Sequence, residues 1–127
     1  MRDTVLIVDE DVNAQIIAET LLQLRGFDVR LANSTAEACE ILSRGDVGVI
    51  LMDMQGAGIE GLQQLRAAAA SAPSRPRVVV MTQRQEPELT RFAERLRVDA
   101  VLRKPMQPGR FIATVEELAE GGAPNAA

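Results

Sequence analysis

Short apolar runs alternate along this chain with longer stretches in which apolar residues recur at helical spacing. Val5–Val8 reads as a buried strand. From Asp11 onward, Ile16, Ile17, Thr20, Leu21 and Leu24 follow a helical period until Gly26 stops the helix. Phe27–Leu31 reads as a second strand, and Ser34-Thr35-Ala36-Glu37 is a capping-box pattern that opens a second helix through Leu42. Val47–Met52 is nearly continuous in apolar residues, as expected of a central parallel strand covered on both faces. A third helix is predicted from Glu60 to about Ala70, followed by a loop at Ala72-Pro73-Ser74-Arg75-Pro76. Val78–Met81 reads as a fourth strand and Pro87 to about Leu96 as a fourth helix with proline in its first turn. Ala100–Leu102 is a short fifth strand, and Gly109 to about Leu118 the last helix. Five strands alternating with five helices predict an α/β fold, a doubly wound parallel sheet with helices on both faces.

Length permits one domain, read here as residues 1–120, with 121–127 of linker composition (Gly-Gly-Ala-Pro-Asn-Ala-Ala). The formal charge of −4 argues against a nucleic-acid-binding face, which is usually basic. No apolar run approaches the roughly 18–20 residues needed to span a bilayer, and no secretory signal is apparent at the N-terminus. The single cysteine, Cys39, has no partner for an internal disulfide, which fits a cytoplasmic protein. Histidine is absent, so histidine-based metal sites and triads are excluded within the chain, and so are Trp and Tyr. One lysine, Lys104, stands against thirteen arginines; Lys is the more compact and flexible point charge of the two.

In a doubly wound sheet the site lies beyond the carboxyl ends of the strands. The first strand ends in Asp9-Glu10-Asp11, the third in Asp53, the fourth in Thr82 and the fifth in Lys104-Pro105. If these converge, Asp9, Glu10 and Asp53 lie within a few ångströms, and two like charges about 4 Å apart repel by ~4 kcal/mol at an effective dielectric of 20. Such a cluster calls for a hard divalent cation, and Mg²⁺ keeps waters that a phosphate oxygen can replace. Asp11 reads instead as an N-cap. Asp53 then has the position of a nucleophile that attacks phosphorus, with the Lys104 charge and the Thr82 hydroxyl supporting the transferred group.

The combination of Val-Asp-Glu-Asp after the first strand, Met-Asp-Met-Gln-Gly-Ala-Gly-Ile-Glu-Gly after the third, Met-Thr and Lys-Pro resembles the response-regulator receiver domain of two-component signalling, over about Thr4 to Glu120. The resemblance implies a CheY-like (βα)5 sheet of strand order 2-1-3-4-5. It implies Asp53 as phospho-acceptor and Mg²⁺ (or Mn²⁺) held by Glu10, Asp53 and the backbone carbonyl of Gln55, with Asp9 acting through water. Thr82 is then the switch hydroxyl, Lys104 the phosphate-pairing lysine, and Pro105 follows a cis peptide bond. The donor is a phosphohistidine on a sensor kinase or phosphotransfer protein, the family also offers a homodimer through the fourth helix, fifth strand and fifth helix, and turnover of a foreign substrate is not expected.

Four positions depart from the family pattern. The usual proline four residues past Asp53 is Ala57, between Gly56 and Gly58; the small residue after Thr82 is Gln83; the switch aromatic is Val101; and Glu10 replaces the commoner Asp. Gln55 and Arg84 occupy the positions that tune phosphate lifetime in the family. Gln83 and Val101 support an alternative, a degenerate receiver that binds partners without phosphorylation. A phosphohydrolase reading is disfavoured because Gln55 stands where such enzymes carry a second carboxylate.

Overall fold

The computed structural model describes residues 3–82, 87–104 and 107–119, with the backbone alone at 55–57 and 87–90. Five strands, β1 (Thr4–Val8), β2 (Asp28–Ala32), β3 (Val47–Asp53), β4 (Arg77–Thr82) and β5 (Ala100–Arg103), form one parallel sheet in the order β2-β1-β3-β4-β5. Five helices alternate with them: α1 (Val12–Gln23), α2 (Thr35–Ser43), α3 (Met54–Ser71), α4 (Pro87–Arg95) and α5 (Pro108–Ala119). Fold class and strand order are those expected from the sequence.

Side-chain alternation divides the core in two. Val5, Ile7, Val49, Leu51, Val79 and Met81 pack with Ala18 and Leu22 of α1 and Phe111, Ile112, Val115 and Leu118 of α5. Leu6, Val8, Ile50, Met52, Val78 and Val80 pack on the other face with Ala38 and Leu42 of α2 and Leu62, Leu65 and Ala69 of α3. A strand buried on both faces has no use for polar alternation, which is why β3 is apolar almost to its end. No helix among the described residues is long and apolar enough to cross a membrane.

Three details differ from the pattern-based expectation. On α1, Ile16, Ile17 and Leu24 are exposed, together with Val12, whereas Gln15, Ala18 and Leu22 face the core. The apolar period was real but ran along the outer face at Ile16 and Ile17, with Leu21 partly buried, while the face turned to the core is built from Gln15, Ala18 and Leu22. Phe27 lies outside β2: its N–H closes the end of α1 on the Leu22 carbonyl, so the ladder starts one residue later. Helix α3 begins at Met54, directly after Asp53, and is interrupted at Gly58 (φ 66°, ψ −170°). That conformation is essentially restricted to glycine, and the regular helix resumes near the predicted start. The expectations for 121–127 fall outside the described residues.

Candidate functional site

Strand register brings the chemistry to one rim. Val8 pairs with Met52, so Asp9 and Asp53 follow side by side. Asp53 itself pairs with Met81, Thr82 with Arg103, and the Lys104 N–H donates to the Thr82 carbonyl at 2.7 Å. Asp9, Asp53 and Thr82 are buried, at 4%, 8% and 8% exposure. The Lys104 ammonium reaches both carboxylates, at 3.4 Å from Asp53 Oδ2 and 3.7 Å from Asp9 Oδ2.

Burial raises the Asp9 carboxyl above its ordinary range, and the neighbouring Asp53 carboxylate adds to the rise. The Asp11 N–H, donated to Asp9 Oδ1 at 2.9 Å, and the Lys104 charge pull the other way. Two buried carboxylates with one ammonium between them thus carry a surplus of negative charge. Asp11 itself caps α1, its Oδ1 accepting from the Asn13 N–H at 2.9 Å, as the N-cap reading required.

The expected three-carboxylate cluster is not assembled. Among the described residues no group of three His, Cys, Asp or Glu side chains is arranged to hold a metal ion. Asp9 and Asp53 turn to Lys104, whereas Glu10 is exposed at the rim. Gln55 lies in the first turn of α3, two residues past Asp53. Val101 is half-buried on β5 opposite Val80. Gln83, Arg84 and Pro105, with the proposed cis bond, fall outside the described residues.

Beside the carboxylates a cleft of about 280 Å³ opens toward α2 and α3, lined among others by Asp9, Glu10, Asp53, Asn33, Ser34 and Glu60. Two of its supports were not legible in the sequence. Gln15 is buried on α1, and its Nε2 donates to the Asp9 carbonyl and, at 2.8 Å, to Asn33 Oδ1. The available signal was that Gln15 shares a helix face with Ala18 and Leu22, a place where a polar side chain needs partners.

A rim of this kind supplies a buried carboxylate with access from a polar cleft, a fixed positive charge beside it and a hydroxyl-bearing residue on the next strand. Comparison with known proteins agrees with the fold. The response regulator receiver domain family matches residues 5–116. The transcriptional regulatory protein ZraR of Escherichia coli (strain K12) is 31% identical over 115 residues, covering 89% of this chain and 25% of ZraR, so the chain spans about a quarter of that relative. A CheY-like receiver domain protein of Methanospirillum hungatei superposes with a TM-score of 0.85 at 21% identity, covering 95% of this chain and 96% of that one. The receiver domain of Ssk1 from Saccharomyces cerevisiae, solved with the histidine phosphotransfer protein Ypd1, superposes with a TM-score of 0.81 at 24% identity, covering 93% of this chain and 89% of that one. A family match over nearly the whole chain, on a five-stranded sheet of the same order, means that this chain belongs to the response regulator receiver domain family.

Proposed function

We propose that the domain accepts a phosphoryl group on Asp53 from a phosphohistidine of a sensor kinase or phosphotransfer protein and signals through its outer surface. The observation that carries this reading is the Lys104 ammonium 3.4 Å from the Asp53 carboxylate at the mouth of a polar cleft. An Asp53 carboxylate oxygen attacks phosphorus, the N–P bond of the donor breaks, and the departing imidazole nitrogen keeps the electron pair and takes a proton. Little beyond positioning and charge neutralisation is needed. Lys104 pairs with a phosphoryl oxygen, and Thr82, at the end of the adjoining strand, donates its hydroxyl to another.

The donor set suits a hard divalent cation, since every group on offer is an oxygen: the carboxylates of Asp9, Glu10 and Asp53 and the carbonyl of Gln55. Mg²⁺ bound there supplies the positive charge that the two buried carboxylates and the incoming phosphoryl group lack. A module that had given up phosphorylation has no need of an ammonium held between two buried carboxylates, so the phosphorylation-independent alternative gains nothing from the geometry. The exposed apolar face of α1 (Val12, Ile16, Ile17, Leu24), starting three residues after Asp9, is the proposed seat of the donor. Slow loss of the domain's own phosphate is expected, without turnover of a foreign substrate.

The test is incubation with Mg²⁺ and acetyl phosphate or phosphoramidate, followed by intact mass. The expected outcome is a gain of one phosphate that Asp53→Asn abolishes. No gain under conditions where a control receiver reacts refutes the proposal.

A further inference from the structure

We propose that Gln15 is a positioning residue for the acidic loop, setting how well that loop holds a divalent cation; this rests on the cation-assisted reading above. A primary amide at 4% exposure is costly to bury unless its hydrogens are donated. Both bonds of the Gln15 Nε2 go to loops, one to the Asp9 carbonyl and one to Asn33 Oδ1 at 2.8 Å. Packing alone does not explain the residue, because an apolar side chain would fill the same position beside Ala18 and Leu22 at lower cost. What Gln15 adds is a link between the two loops that wall the cleft.

The link is anchored at both ends. Asp9 is fixed by its own N–H to the Ala32 carbonyl at 3.1 Å and by its Oδ1, which accepts from the Asp11 N–H. Asn33 is fixed by its N–H to Glu37 Oε1 at 3.0 Å, within the capping box in which Ser34 Oγ accepts from the Glu37 N–H at 3.2 Å. Removing the amide takes away a donor to the Asp9 carbonyl and loosens the main chain that carries Asp9 and Glu10 along the cleft. Outer residues that orient metal ligands typically matter by roughly 10–100-fold in affinity.

The experiment titrates Mg²⁺ by calorimetry, and Mn²⁺ by electron paramagnetic resonance, into the unphosphorylated full chain, with thermal unfolding recorded in chelator. Gln15→Met, of similar length and without donors, is expected to bind at least about tenfold more weakly. Adding Asn33→Ala to it is expected to lose little more, since both act through one chain of bonds. Leu22→Ala, which deletes core volume on the same helix face, is expected to unfold earlier yet bind as the wild type does. Should Gln15→Met not fold, Asn33→Ala alone carries the test, with an expected loss of about threefold. Binding by Gln15→Met within about twofold of wild type, an unchanged Asn33→Ala in the fallback, or an equal loss in Leu22→Ala overturns the inference while leaving the site reading standing. A wild-type chain that takes up neither ion overturns both.

Discussion

Replacing Lys104 by methionine keeps the length of the side chain and removes the charge shared by two buried carboxylates. At 3.4 and 3.7 Å, each ion pair is worth ~4–5 kcal/mol of Coulomb attraction at an effective dielectric of about 20. Desolvation offsets much of that, and the Lys104 side chain retains 18% exposure, so the net loss near neutral pH is about 2 kcal/mol. For a domain of this size that is a fall in Tm of roughly 6–10 °C. The pH dependence carries the diagnosis. Asp9 titrates in the folded protein above its ordinary 3.8, so the folded state binds more protons, and stability falls as pH rises from that value through the folded one. Loss of Lys104 removes one of the influences that hold Asp9 down, so the folded value climbs further and the costly window widens. The difference between wild type and Lys104→Met is therefore larger near neutrality than on acidification toward the ordinary carboxylate range. Thermal melts of both proteins in chelator, from neutrality down to that range, measure it. Equal stability near neutrality, or a gap that grows on acidification, refutes the account.

Gly58→Ala tests the break in α3: an added Cβ meets nothing within 4 Å, so the expected cost of about 1–3 kcal/mol is backbone strain alone, and a melt unchanged within about 0.5 kcal/mol contradicts it. Ile17→Ser, at a position 63% exposed, is expected to leave stability within about 0.5 kcal/mol. The same change is expected to slow phosphoryl uptake from a protein donor several-fold and leave uptake from acetyl phosphate unchanged; equal slowing with both donors removes α1 as the donor's seat.

The strand ends were readable because a parallel sheet covered on both faces requires apolar runs, and the first polar residue after each run marks the rim. Asp9, Asp53 and Thr82 follow from that alone; after the fifth run the first polar residue is Arg103, and Lys104 lies one position further on. Helix α1 was less readable. Its outer face carries Val12, Ile16, Ile17 and Leu24, and a helix that presents apolar side chains to a partner has the same period as one that presents them to a core. Its inner face includes Gln15, whose place there depends on Asn33, eighteen residues away. The three-carboxylate cluster failed for a related reason. Adjacency of Asp9 and Glu10 in sequence does not give them the same surroundings: Asp9 is buried against Lys104, whereas Glu10 is exposed on the lining of the cleft. The turn at Met54 was hidden because glycines on either side of Ala57 read as loop, whereas only Gly58 leaves helical geometry.

Each return from helix to strand passes through a left-handed residue: Gly26 before β2, Gly45 and Asp46 before β3, Arg75 before β4 and Arg97 before β5. Two of these, Arg75 and Arg97, carry side chains that the left-handed region tolerates poorly, and all sit at the amino ends of the strands, across the full length of the sheet from Lys104. These strained positions therefore lie at the opposite end of the sheet from the candidate site. Arg75→Gly or Arg97→Gly offers selection, or an engineer, a way to harden the scaffold from its underside without touching Asp9, Asp53 or Lys104.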